Sequence, residues 1–440
     1  MTHQKTVIFI GYIWPEPNTT AAGQNILSYI TSMQENQWLV HFWCAAEKSP
    51  HSIDLQNLGI NVQQIKLNDD GFDELIEAVK PDVVIFDRYL SEEQFAWRVA
   101  KVCPNSLRVL DCEDLHFLRY GREVLFKQSE NARLKHSKCS LNKQQLSKIT
   151  YPLSRDIFAD TALAHLHTPQ FYRELASIIR CDLALTLSSF EADVLNQQYG
   201  LRQNIVHIPF IRERPTTRPF SFAERNNLIT IGNLKHQPNV QAVEHLAVDI
   251  MPQVRKRIPS IQLHVYGEYA PPRIVQLHKP DKGVFIKGYS EHHIDDISRA
   301  RLLLAPLQFG AGVKGKLLDA MACSTPSVTT ALGAEGIDLA EWPGAIAADS
   351  DVLVQEIVRL YSEQSQWEHA SSLSTTQDIQ HFQPSINKQK FLQTIDEYLN
   401  NLDARRMQNY LQGMTMQQGL QASKYMSQWI IAKNKLKPEG

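Results

Sequence analysis

Short apolar runs of strand length alternate with helix-period segments from residue 6 to residue 208, and the same alternation starts afresh at residue 228. Strand-like runs stand at residues 6–11, 40–44, 83–86, 107–110, 184–187 and 205–208. A second set stands at 228–232, 261–267, 284–287, 302–307 and 327–330, and this series ends near Leu360. Strands separated by helices predict a parallel, doubly wound sheet. Two such series predict an α/β chain of two Rossmann-like lobes facing a cleft, and 440 residues exceed what one hydrophobic core usually supports. The expected divisions are an amino-terminal acceptor-binding domain over 1–215, a carboxyl-terminal donor domain over 228–385, and helices over 386–440 that pack back on the lobes. Residues 212–227, with Pro215 and Pro219 among charges, have no apolar periodicity and read as the linker. Residues 387–402 and 405–435 carry helix spacing, with Phe391, Ile395, Tyr398, Leu399 and Leu402 on one face.

Residues 309–330, FGAGVKGKLLDAMACSTPSVTT, read as a glycine-rich turn, a short amphipathic helix and a further strand. Gly310, Gly312 and Gly315 let backbone come close to a ligand, and a helix start offers unpaired N–H groups. Lys314 and Lys316 add positive charge for an anion. Lys316 and Asp319 lie three apart and share a helix face, while Leu317, Leu318 and Met321 turn inward. A lysine for phosphate and a carboxylate for ribose hydroxyls suit a nucleoside-diphosphate ligand.

This run resembles the donor-site signature of retaining glycosyltransferases of the GT-B fold, the large family 4 group, in which a Glu-Ala-Met-Ala helix leads into a Gly/Ser-x-Pro-x-Val strand. Here it reads Leu318-Asp319-Ala320-Met321-Ala322 and then Cys323-Ser324-Thr325-Pro326-Ser327-Val328. The resemblance extends to Ile231-Gly232-Asn233-Leu234 with Gln237-Pro238-Asn239, to Gly288-Tyr289, and to Gly333-Ala334-Glu335-Gly336-Ile337, all in the family's order. It implies donor contacts at Gly232, Asn233, Gly310, Gly312, Lys314, Lys316 and Asp319. It also implies a catalytic histidine in an amino-lobe loop, for which His116 is the match, with Asp114 and Arg119 in support. Two departures stand out: Ala311 occupies the place of the family's first glutamate, and Asp319 is one methylene shorter than the second. Asn233 and Lys235-His236 replace the arginine and lysine that often follow the first carboxyl-lobe strand.

In the amino half, the run from Asp111 to Arg119 follows a strand, which places Asp114, His116 and Arg119 at the strand's carboxyl end. The other reading of that run is a helix start, with Asp111 or Asp114 capping backbone amides. Gly23, in the long loop and helix after residues 6–11, either admits a ligand to the backbone on the acceptor side or relieves a close helix contact. Ser188, Ser189 and Glu191 read as a structural cap, the serine accepting an N–H and the glutamate bonding back.

A net charge of −2 gives no global attraction to nucleic acid. Locally, residues 119–148 hold eight lysines and arginines against two glutamates. That excess suits a solvated helix face or peripheral contact with an anionic membrane carrying a lipid-linked acceptor. Six scattered cysteines without a C-x-x-C pair, and no leader ahead of residues 7–11, predict a reducing cytoplasm, at most the inner membrane face. Asp295-Asp296 and Asn68-Asp69-Asp70 lack Asp-x-Asp spacing, so no metal site and no cofactor beyond the sugar nucleotide are expected. No G-x-G-x-x-G follows residues 7–11, against a nicotinamide enzyme. The resemblance thus implies transfer of a sugar from an NDP-sugar to a glycan or lipid-linked acceptor with retention of configuration, in surface polysaccharide or glycoconjugate synthesis. An NDP-sugar epimerase on the same fold, or a non-catalytic nucleotide-sugar-binding protein, are the alternatives.

Overall fold

The computed structural model describes residues 4–139, 150–153, 155–159, 164–202, 204–215, 220–417, 425, 426 and 429, with the side chains of 132–139 left out. The amino-terminal sheet contains β1 (Thr6–Gly11), β2 (Leu39–Cys44), β3 (Asn61–Gln64), β4 (Val83–Asp87), β5 (Leu107–Asp111), β6 (Leu183–Thr186) and β7 (Ile205–His207). Its order is β3-β2-β1-β4-β5-β6-β7, every neighbour parallel. The carboxyl-terminal sheet contains β8 (Asn226–Ile231), β9 (Leu263–Tyr266), β10 (Val284–Gly288), β11 (Ala300–Ala305), β12 (Ser327–Thr330) and β13 (Gly344–Ala347), in the order β10-β9-β8-β11-β12-β13. Both orders reverse next to the first strand of the sheet. In open α/β sheets, ligands bind outside the strands' carboxyl ends at such a reversal.

Central strands of such a sheet are covered on both faces, which is why they read as unbroken apolar runs. Ile8 and Ile10 of β1 pack with Phe72, Phe86 and Phe95 on one face, while Val7 and Phe9 pack with Tyr29, Phe42 and Phe391 on the other. Each of these side chains contributes roughly 1.5–3 kcal/mol on burial. Phe391 belongs to the helix Pro384–Asn400, and its ring stacks on Tyr29 at 4.3 Å. The chain therefore returns from the carboxyl-terminal sheet to cover the amino-terminal one.

Three local expectations need correction. The segment over 212–227 is more than a spacer. Arg225 is fully buried and donates to Thr325 Oγ1 and to the carbonyls of Phe220, Ala300 and Cys323, while Arg212 binds across the cleft. The helix expected over 405–435 is broken: Leu402–Gln408 and Tyr410–Met416 are separate helices, with Asn409 at φ −97°, ψ 73° between them. Most of 418–435 lies outside the described residues. The basic run is likewise not one solvated face, because Arg122 is buried in an ion pair; Arg133, Lys135, Lys138, Lys143 and Lys148 fall outside the described side chains.

Candidate active site

Loops from the two sheets meet. A Cβ added at Gly312 would lie 2.7 Å from the Cβ of Asp114, and one at Gly315 would lie 2.7 Å from that of Ala21. Gly312 also sits at φ +68°, where a side chain would be strained. Arg122 reaches over from the helix His116–Cys139 and pairs with both carboxylate oxygens of Glu335 at 2.8–2.9 Å, donating as well to Gly310 O at 2.8 Å. The pair is buried on both sides.

On the carboxyl side, Lys316 lies in the first turn of the helix Gly315–Ala322. Its ammonium donates to Asn239 Oδ1 at 2.8 Å and sits where a side chain on Gly232 would project. Burial pushes its pKa down to about 8, and the Asp319 carboxylate opposes that shift. Asp319 accepts from Arg212, which also donates to Gln24 Oε1 at 2.7 Å and so ties Asp319 to the first amino-lobe helix. Lys314 closes its own loop by donating to Gly312 O at 2.7 Å, and burial lowers its pKa. Asn233 is a turn residue, with Oδ1 accepting Lys235 N and its backbone carbonyl accepting Asn239 Nδ2. Of the seven donor-side residues, Lys316 and Asp319 have side chains reaching the cleft groups, Gly232, Gly310 and Gly312 supply close backbone, and Lys314 and Asn233 are spent on loop structure.

On the amino side, neither Asp111 nor Asp114 caps the helix that begins at His116. Glu174 does so, accepting His116 N at 2.9 Å and Phe117 N at 2.7 Å. Asp114 instead accepts Arg119 Nη1 at 2.5 Å, and Asp114 Oδ1 stands 3.5 Å from His116 Nε2. That Nε2 is buried and has no hydrogen-bond partner among the described residues. Desolvation pushes the imidazole down to about 4 against the pull of Asp114, so the ring is neutral at pH 7 and its tautomer follows whatever meets Nε2. Gly23 has a packing reason, since a Cβ there would fall 2.6 Å from Glu16 C, yet it also lines a cavity of about 10 Å³ with Glu16, Asp87 and Arg88.

Several charged groups in this region carry no motif. Asp87, Asp111 and Glu113 are buried at the carboxyl ends of β4 and β5, and burial raises Glu113 to about 7 against the pull of Arg88. Asn25 Nδ2 donates to Glu113 Oε1 at 3.1 Å. Glu191, expected to bond back within its own cap, instead accepts Leu115 N and Gly312 N, so its carboxylate joins the lobes. Only Ser188 caps that turn as expected. A polar residue placed at a strand's carboxyl end was the single available signal for Asp87 and Glu113; the partners of Glu191, Arg122 and Arg212 are distant in sequence and leave no local pattern.

Two doubly wound lobes meeting at their switch points, with a buried lysine at a helix start between them, define the GT-B architecture of a glycosyltransferase. In agreement, residues 225–363 match the family model described as glycosyl transferases group 1, a span that holds β8 to β13 and the Lys316 helix. Among solved structures, HepE from Anabaena in complex with UDP and glucose is similar with a TM-score of 0.60 and 13% identity, over 90% of this chain and 100% of that one. Sucrose-phosphate synthase from Thermosynechococcus elongatus gives 0.59 and 13% over 90% and 100%. A mutant of TarM from S. aureus with fondaparinux, α-GlcNAc-glycerol and UDP gives 0.54 and 14%; 73% of this chain is covered, and it spans 58% of that chain. No curated protein sequence matches the chain. No helix among the described residues is long and apolar enough to cross a membrane.

Proposed function

We propose that the chain is a retaining glycosyltransferase of the family 4 kind. It takes an NDP-sugar in the carboxyl lobe and passes the sugar to a glycan or lipid-linked acceptor held by the amino lobe, in surface polysaccharide or glycoconjugate synthesis. The observation that carries this reading is the Lys316 ammonium, buried at a helix start and hydrogen-bonded among the described residues to Asn239, with the Asp319 carboxylate nearby. A diphosphate placed there would take a charge-assisted hydrogen bond from Lys316 and further ones from helix amides. As the bond from the anomeric carbon to the diphosphate oxygen breaks, negative charge grows on that oxygen, and Lys316 stabilises it. The acceptor hydroxyl bonds to the anomeric carbon and its proton passes to the departing diphosphate. Asp319, released from Arg212, would accept ribose hydroxyls, while His116 Nε2 and Asp114 would orient sugar or acceptor with Arg119 and the Gly23 loop alongside. Lysine and amides suffice for the diphosphate charge, so no metal is required.

UDP is the favoured nucleotide, because the similar HepE and TarM structures were solved with it. A similar structure, WaaG, is described as involved in lipopolysaccharide biosynthesis, which supports a surface-glycan role. The Gly312 and Asp114 contact leaves no room for a nucleotide sugar at that point, so the donor lies to the Lys316 side of it. Peripheral membrane contact through 119–148 would bring a lipid-linked acceptor to the cleft from the cytoplasmic side. The test is turnover of UDP-glucose, UDP-GlcNAc and GDP-mannose by purified protein in EDTA. Lys316→Ala and Asp319→Ala should each lower kcat/KM by about 100-fold. Unchanged turnover in both variants would remove the pocket assignment, and nucleotide binding without turnover would leave a binding protein.

A further inference from the structure

A second cavity, of about 390 Å³, lies between the edge strand β7 and the C-terminal helices. Its walls include Asp182, Arg202, Arg405, Arg406, Gln408 and Asn409. Asp182 precedes β6, and Arg406 donates to the carbonyls of Pro104 and Ser106, just ahead of β5. The cavity therefore opens at the amino-terminal ends of the strands, while the active site lies beyond their carboxyl ends. The five residues of β5 alone separate the two by roughly 16 Å.

The floor is hydrogen-bonded and electrically satisfied. Both carboxylate oxygens of Asp182 are engaged by Arg406 at 2.7 Å, with Gln412 Nε2 at 2.7 Å and Arg108 N at 2.9 Å in addition. The walls are not satisfied in the same way. Arg202 forms no hydrogen bond or ion pair with the described residues. Arg405 stacks over the Tyr398 ring at 3.7 Å and gives one nitrogen to Glu397, which leaves N–H groups of its five over. β7 is an edge strand, so its outer row of backbone N–H and C=O groups has no strand partner among the described residues. Two guanidinium forks suit a carboxylate or phosphate, and side-chain amides with open backbone groups suit hydroxyls. The volume falls in the range of small-ligand pockets, about 300–1,000 Å³.

We propose that this cavity is a second ligand site, separate from the active site, that takes a small hydroxyl-rich anion: a monosaccharide bearing a phosphate or a carboxylate. Arg202 and Arg405 clamp the anionic group, and Gln408, Asn409 and the β7 backbone read hydroxyls. The assignment does not depend on the glycosyltransferase reading.

Calorimetry on the full chain tests it with glucose 1-phosphate, glucuronate, glucose and inorganic phosphate as probes. Glucose 1-phosphate or glucuronate should bind at least about tenfold tighter than glucose or inorganic phosphate, and Arg202→Ala and Arg405→Ala should each weaken that binding about tenfold. UDP affinity should be unchanged in both variants. Arg202→Glu is the backup should Arg405→Ala disturb the Tyr398 packing, and it should abolish anion binding with the thermal midpoint kept. Absence of saccharide-anion binding, equal binding of inorganic phosphate, or binding lost in Lys316→Ala and kept in the arginine variants would each overturn the proposal.

Discussion

Glu191 Oε1 accepts the backbone N–H of Gly312 at 2.7 Å, so a carboxylate from the amino lobe fixes the glycine loop that precedes Lys316 in the carboxyl lobe. The same oxygen accepts Leu115 N at 3.3 Å, beside His116. One side chain thus sets the spacing between the loops that carry Lys316 and His116. Burial together with the nearby Asp114 and Glu335 carboxylates raises the Glu191 pKa to about 8.

Removing that acceptor leaves two buried backbone donors unpaired. Glu191→Ala is expected to cost about 1–3 kcal/mol, read by urea or thermal unfolding. Glu191→Gln keeps an accepting oxygen and should match wild type at low pH, where the carboxyl group is protonated. Because the folded pKa lies above the unfolded value, the folded state holds the proton more tightly. The contribution of Glu191 is complete below about pH 4.5 and fades as pH rises toward 8. Wild type should therefore lose stability relative to Glu191→Gln across that window; a constant difference between the two would show that the carboxyl group titrates in the folded state as it does in the unfolded one.

Gly312→Ala probes the contact of the lobes. Left-handed backbone at φ +68° and an Asp114 Cβ only 2.7 Å from the new methyl oppose the substitution together. Strain of this sort costs on the order of 1–3 kcal/mol, and opening the lobes would relieve the steric part. Small-angle scattering should report a larger radius of gyration for the variant and turnover should fall. An unchanged radius with full turnover would mean that Asp114 yields easily.

Arg122 and Glu335 form a buried pair across the lobes. Deleting one partner strands a buried charge, so Arg122→Ala or Glu335→Ala is expected to cost about 3–5 kcal/mol, whereas replacing both by apolar residues of similar size should recover most of it. A double-mutant cycle in thermal unfolding measures the coupling. Additive losses would mean that the two charges act independently.

How far these relationships could be read in the sequence depends on where their determinants lie. Central strands such as β1 and β4 are buried on both faces and announce themselves as apolar runs, whereas the edge strand β3 (Asn61–Gln64) is partly exposed with one apolar residue, and β13 (Gly344–Ala347) is a short, partly exposed run of small residues around one isoleucine. Lys316 and Asp319 were legible because their geometry comes from one helix turn. Glu174 capping a helix 58 residues away, Glu191 reaching 121 residues to Gly312 and Arg122 reaching 213 residues to Glu335 are products of tertiary packing, for which local spacing holds no sign. Arg212 shows the same effect in reverse, since a segment without periodicity read as linker until Asp319 came within reach.

Lys316 offers a test that joins electrostatics to ligand binding. Burial lowers its pKa to about 8, so above that pH a growing fraction of the ammonium has lost its proton. A bound diphosphate favours the charged form and raises the pKa again, so association above pH 8 must draw a proton from solvent. UDP affinity is expected to be flat from pH 6 to about 7.5 and to fall by up to about tenfold per pH unit as pH rises past 8. Calorimetry at pH 8.5 in two buffers of different ionisation enthalpy should register proton uptake of a sizeable fraction of one. Lys316→Arg stays charged throughout this range, so it should flatten the pH profile while retaining measurable affinity. Should wild type and Lys316→Arg share the same dependence above pH 8, another group governs the titration and Lys316 is not the residue that meets the phosphates.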